Sequence, residues 1–542
     1  MLDLDTARLN LEDLAWGLAR HAPLRLPTED LILASRAGLE GKFGPAGFHM
    51  VNHALLRLAQ LTGRDLVYVD DPVSLAPFGG PVLTAPDRAA DWAAWLDDFA
   101  PDTRSLLLVG GPDLAPFGRI ANPSDDDDGP LASDAPLAGP KFLAPDRAVG
   151  RLPDADDAAF LIRLVQATCD AHEASRRVRA RWRPHPRPAL PPAIGYTASV
   201  WRHSARAVFA SLDSPQRLRM SPPLDHQQAP RVQADGFCPA YFNLHGLPDA
   251  PGWYGQRDPL LAADYPHFPL ALHPDALTPS RHGHRMVVFS AACYGAAVEG
   301  KTPATSLALR FLATQAAAFV GATALAYGGL SEPLQASDQL AYLFWSELQR
   351  GQSVGEALRR AKLGLVETVT ARQGYLDAED QKASLTFTLY GDPTLTPFPK
   401  GRPRNVMLNE AKHLVSQRET LRSAQSDRAG AAARSVMLSE AKHLTALNAT
   451  HRFAQSDSEG RIPDALLQRV EQELRRRLPD LGPLQMRPAA PLHAKAHGAA
   501  PPALTLTVTE TGTGRPFRHR MKVTVGPDGA VTKLVMAHGA RG

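Results

Sequence analysis

Apolar and polar positions along the first 174 residues alternate between two periods. "AGFHMVNHALLRLAQLTG" repeats its apolar residues at helical spacing and stops on a glycine. "DLVYVDD" and "SLLLVGG" are short β-rich runs, with the helical pattern "RAADWAAWLDDFA" between them. Such alternation predicts a parallel sheet covered by helices on both faces. A Pro/Gly/Asp-rich stretch from Pro112 to Asp146 interrupts it. "RAVGRLP" then leads into the helix "DADDAAFLIRLVQATCDAHEASRRVRAR".

The basic, proline-rich segment at 175–192 predicts a stiff connector. The α/β pattern resumes over 193–400. "AIGY", "AYFNL" and "MVVFSAA" read as strands and "ASVWRHSARAVFASL" as an amphipathic helix. "PATSLALRFLATQAAAFVG" reads as one alanine-rich helix and "ATALAY" as a strand after it. Two further helices, "ASDQLAYLFWSELQRG" and "SVGEALRRAKLGLVETVTA", precede "FTLYGDPTLTP". Residues 401–459 differ in kind: "VMLNEAKHL" recurs as "VMLSEAKHL", and "AQSD" recurs at the same offset. Two copies poor in large apolar residues cannot bury a core, so this stretch is expected to be a disordered insert. Residues 460–542 alternate one helix with several strands, a small α+β domain.

A chain of 542 residues is too long for one core. A formal net charge of +3 implies no single-sign field and argues neither for nor against a nucleic-acid partner; no nucleic-acid or membrane partner is expected. No apolar run is long enough to suggest a membrane span, and the first residues lack the pattern of a signal peptide. Three scattered cysteines, Cys169, Cys238 and Cys293, suit a reducing compartment, and the cytoplasm is the expected location. They lack paired ligand spacing, so neither a metal nor another cofactor is expected.

Candidate chemistry sits at two strand ends. His245-Gly246 follows "AYFNL", and Ala292-Cys293 follows "MVVFS", about fifty residues further on. Ligands of open parallel sheets bind at the carboxyl ends of strands, which would put imidazole and thiol on one rim. A free thiol is mostly protonated at neutral pH, and an adjacent imidazole makes it a nucleophile. Gly246 lacks a Cβ and lets its N–H approach a carbonyl closely. With the Cys293 N–H it would form an oxyanion hole.

At these residues the chain resembles the gingipain-like cysteine peptidases of the caspase clan and the related CHAT peptidases. The matching segments "LLLVGGPDLAPF", "LASDAPLAG", "DRAVGRLP", "NLHG", "SAACYG", "SLALRFLATQAAAFVGAT" and "LYGDPTL" run in the family's order. The resemblance implies a caspase-hemoglobinase-like α/β fold, with an N-terminal α/β subdomain over 1–174 and a catalytic one over 193–400. It also implies cysteine endopeptidase activity on a protein or peptide, with His245 as base and Cys293 as nucleophile. An inactive scaffold with the same core and a non-peptidase thiol hydrolase are the alternatives.

The resemblance has a gap. Arginine-cleaving gingipains carry carboxylates just after the strand corresponding to "AIGY", whereas this chain has Trp201, Arg202, His203 and Arg206. A basic S1 wall from Arg202 or Arg206 is one expectation, and a substrate contact from the loop residue Glu332 is another. Among the remaining polar features, Cys169 and Cys238 read as structural. His282 and His284 read as solvent-facing, and Asp125–Asp128 as a solvated acidic loop rather than a calcium site.

Overall fold

The computed structural model describes residues 24–181, 192–228, 237–259, 264–280, 283–398, 462–489, 504–511, 519–526 and 529–537. The repeat-bearing stretch 401–459 and most of the connector (182–191) lie outside them. The first half supplies β1 (Asp30–Ala34), β2 (Asp65–Tyr68), β3 (Ser105–Val109) and β6 (Ala148–Leu152), with a small hairpin of β4 (Gly118–Ile120) and β5 (Leu131–Ser133). The second half supplies β7 (Ile194–Ala198), β8 (Arg219–Ser221), β9 (Cys238–Asn243), β12 (Met286–Ser290), β13 (Ala316–Ala322) and β15 (Phe387–Gly391). It also carries the short pair β10 (Trp253–Tyr254) and β11 (Leu270–Leu272).

Ten strands form one sheet in the order β2-β1-β3-β6-β15-β13-β12-β9-β7-β8. Every neighbouring pair is parallel except β13 and β15. The sheet is therefore two parallel blocks of opposite direction joined at that pair. Its inner strands are largely apolar because both faces are covered. Ile32 and Leu107 enter one core while Leu31, Leu33, Leu106 and Leu108 enter another. Val288 and Val287 divide in the same way in the second half.

The seam between halves is polar. Asp392, fully buried just after β15, is gripped by the Arg64 guanidinium and lies 3.0 Å from His172 Nε2. Both partners hold its carboxyl far below the ordinary range despite the upward push of burial.

The helix expected to end at Arg181 is Ala158–Arg181 and takes in the first seven residues of the connector. Two readings are corrected. The helix predicted through "QAAAFVG" ends at Thr314, and Ala316–Ala322 is β13. His284 is half-buried against the backbone of Leu312 and Ala313 rather than facing solvent, and burial lowers its pKa; His282 lies outside the described residues. Cys169 and Cys238 are buried. No helix among the described residues is long and apolar enough to cross a membrane.

The C-terminal unit packs onto the second half. Its helix Asp464–Arg477 buries Val470 and Leu474 against an antiparallel sheet of β16 (Leu484–Pro488), β17 (Leu504–Glu510), β18 (Arg520–Val525) and β19 (Val531–Ala537). The fifth strand of that sheet is β14 (Tyr327–Gly329), which follows β13 and pairs with β19.

Candidate active site

β9 and β12 are adjacent and parallel, with Phe242 opposite Ser290. His245 and Cys293 each lie three residues beyond that pair, so the two dipeptides leave the sheet side by side. The closeness is measurable at Gly246, where an ideal Cβ would fall 2.1 Å from the Cys293 carbonyl oxygen and 3.3 Å from Ala292 Cβ. Only glycine fits between these strand ends. Among the described residues, neither the Gly246 nor the Cys293 amide donates to another group of the chain. Tyr294 turns the chain sharply with φ +54°, a strained conformation for a side chain of that size.

The His245 backbone is closed by a reciprocal pair of hydrogen bonds with Tyr254, each 2.8 Å. Its ring lies against Trp201, with centroids 4.4 Å apart, and edge-on to Phe268. Trp201 is fully buried, so it packs the imidazole instead of lining a substrate pocket. His245 Nε2 lies 2.8 Å from Gln256 Oε1, and Gln256 Nε2 lies 2.7 Å from His519 Nε2. His519, from the C-terminal unit, has Nδ1 2.6 Å from Glu510 Oε2. Burial pushes the Glu510 carboxyl up, but His519 and the Gly482 N–H outweigh it and hold the pKa at about 2.

Cys293 has no exposed surface. Its thiol donates to the Ala326 carbonyl at 3.4 Å, and Sγ accepts the Ala326 N–H at 3.1 Å. Burial pushes the thiol well above the usual cysteine range, and the Ala326 N–H offsets only part of this. Ala326 leads directly into β14, whose other side is held by β19. The thiol is thus covered by a segment that the C-terminal unit fixes.

The acidic run, expected to be solvated, is built into this assembly with alternating faces. Asp126 and Asp128 turn inward onto Lys382 Nζ at 2.7 and 2.6 Å. Asp128 also accepts from the Tyr294 hydroxyl (2.6 Å) and the Leu325 N–H (2.8 Å), while Asp126 accepts from the Tyr327 hydroxyl (2.9 Å). Asp125 and Asp127 turn to the C-terminal unit. Asp125 takes the Lys522 ammonium and the Thr507 hydroxyl, and Asp127 takes Arg520 at 2.6 Å. On the helix Ala336–Gln349, buried Asp338 accepts from Tyr241 and Asn243 of β9 and from the Gly329 N–H of β14. Burial raises its pKa to about 7.

Of the expected specificity residues, Arg202 is paired with Asp258, and Arg206 is exposed. Glu332 is exposed on the loop after β14. A cavity of about 970 Å³ lined by Gly111, Phe117, Val298 and Leu309 lies between the two halves. A smaller one of about 200 Å³ reaches Tyr294 and Ala324 and shares Phe117, Arg119, Val298 and Glu299 with it. The one group of three convergent carboxylates among the described residues, Asp113, Asp154 and Asp156, meets on the Lys42 ammonium at 2.6–2.7 Å. That cation compensates them internally.

Sequence reasoning missed Gln256, His519, Glu510, Asp338 and Lys382. No motif marks them; the acidic run was the one visible signal, and its alternation was not legible in four identical residues.

Residues 269–398 match peptidase family C25, the gingipain family of the caspase-like clan. The segment with Cys293, β12, β13 and β15 is therefore gingipain-like, and it begins after His245. The Arg-specific cysteine proteinase gingipain R is a similar solved structure. It has 13% identity and a TM-score of 0.43, over 70% of this chain and 80% of that one. The complex of Porphyromonas gingivalis RgpB pro- and mature domains gives 13% and 0.43, over 68% and 79%. Both are too remote to transfer residue roles. A comparison with curated proteins finds no match.

Proposed function

We propose that this protein is a cysteine endopeptidase acting by acyl transfer on peptide bonds. The observation that carries the reading is the register of β9 and β12, with Gly246 in contact with the Cys293 carbonyl. The family match over the segment containing Cys293 supports it. In this mechanism His245 takes the thiol proton and Cys293 Sγ attacks the scissile carbonyl. The Gly246 and Cys293 N–H groups hold the oxyanion. Imidazolium then protonates the leaving amine, and His245 activates the water that releases the acyl group.

The substrate chain would lie along the two neighbouring cavities, the smaller of which reaches Tyr294 and Ala324. On this reading the buried thiol is uncovered when Ala326, which bonds it from the segment leading into β14, moves away. A scaffold reading draws on the complete burial of Cys293, and one experiment separates the two. A mixed library of quenched fluorescent peptides is expected to be cleaved by the full chain, with loss of turnover in Cys293→Ala and His245→Ala. Cleavage retained by Cys293→Ala refutes the mechanism, and no cleavage by any form favours the scaffold.

A further inference from the structure

The buried chain Glu510–His519–Gln256–His245 has a fixed direction. Glu510 is a carboxylate and only accepts, so His519 Nδ1 carries the proton that lies between them at 2.6 Å. The Gln256 amide NH₂ stands 2.7 Å from His519 Nε2, so that nitrogen accepts and His519 is the neutral Nδ1–H ring; a doubly protonated ring would have no lone pair for it. An amide has one donor end and one acceptor end, so Oε1 is forced toward His245. The oxygen accepts, and the His245 proton resides on Nε2, 2.8 Å away. Nδ1 is left as the basic nitrogen. A glutamine alone imposes no tautomer because it can flip. The decision is made at the far end of the chain, by a carboxylate belonging to the C-terminal unit. All four side chains are nearly or fully buried, so water does not compete for these bonds.

We propose that Gln256 is the positioning residue for His245, and that His519 and Glu510 set its orientation, making the C-terminal unit a functional part of the proposed peptidase site. The inference rests on the peptidase reading above. It gives the C-terminal strands β17 and β18 a role beyond cover, since Glu510 closes one and His519 precedes the other.

The test compares the full chain with Gln256→Leu, Gln256→Glu and Glu510→Gln. Gln256→Leu removes the acceptor and is expected to lower kcat by about 10- to 100-fold with little change in KM. Gln256→Glu restores an acceptor to His245 and is expected to recover most of kcat. Glu510→Gln can both donate and accept, so it leaves the direction of the chain undetermined. Nitrogen-15 spectra of labelled histidine should show the Nε2–H form of His245 in the full chain and a mixture of tautomers in Glu510→Gln. An unchanged kcat in Gln256→Leu, with Cys293→Ala inactive, overturns the positioning role and leaves the peptidase reading standing. A full chain in which His245 carries its proton on Nδ1 overturns it as well, whatever the activities. Should Gln256→Leu fail to fold, the spectra of Glu510→Gln decide alone.

Discussion

Replacing Gly246 with alanine tests the packing of the two strand ends directly. The added methyl would sit 2.1 Å from the Cys293 carbonyl oxygen, short of ordinary contact by about 1 Å or more. Its obstacle is backbone, and no side-chain rotation relieves it. β9 and β12 are tied by a parallel ladder up to Phe242 and Ser290, so the clash has to be released just beyond them, at His245 and Cys293. Overpacking of this kind costs about 1–3 kcal/mol of stability, which lowers Tm by a few degrees in a chain of this size. A displacement of ~1 Å between reacting groups costs about 100-fold in rate. The expected result for Gly246→Ala is a folded protein, melting several degrees lower, with kcat/KM on a fluorogenic peptide reduced about 100-fold. Scanning fluorimetry and steady-state hydrolysis on the same sample read both quantities. Undiminished kcat/KM would show that the strand ends are not held this tightly, and the oxyanion role of Gly246 would fall with it.

Two further outcomes concern buried charge. Lys382→Met leaves Asp126 and Asp128 facing each other without their cation. A loss of about 3–5 kcal/mol in urea unfolding is expected, and a change under 1 kcal/mol would contradict the clamp. Asp392, held far below the ordinary carboxylate range, contributes stability that is complete above its unfolded pKa of ~3.9 and is lost as pH falls below it. The Tm gap between the protein and Asp392→Asn should therefore be full above about pH 4 and narrow progressively as pH falls further toward the depressed folded-state pKa; a gap that does not narrow below about pH 4 would exclude this account.

Much of the fold is legible along the chain because its inner strands are short apolar runs separated by helices of clear period. "SLLLVGG" could be recognised since both faces of β3 are buried. "QAAAFVG" could not: alanine favours helix in isolation, yet β13 lies between β12 and β15. There a small residue is required, as at Gly321, where an added Cβ would come 2.9 Å from the Phe319 ring and 3.4 Å from Ala296. His245 and Cys293 were visible through the small residues beside them. His519 was not, because a histidine before a strand far along the chain carries no mark of the loop it meets. β14, three residues long, has no period to read, although its pairing decides what covers the thiol.

The four aspartates at 125–128 have a thermodynamic consequence. Asp128 holds Tyr294 and Leu325 beside the thiol, Asp126 holds Tyr327, the odd-numbered members hold β17 and β18, and the peptide bonds between them make these one object. Reciprocity then applies. Whatever free energy undocking of the C-terminal strands spends in loosening residues 294 and 325, a ligand that displaces those two residues must return by weakening the docking. On the proposed function, substrate concentration and attachment of the C-terminal unit would be two handles on one equilibrium.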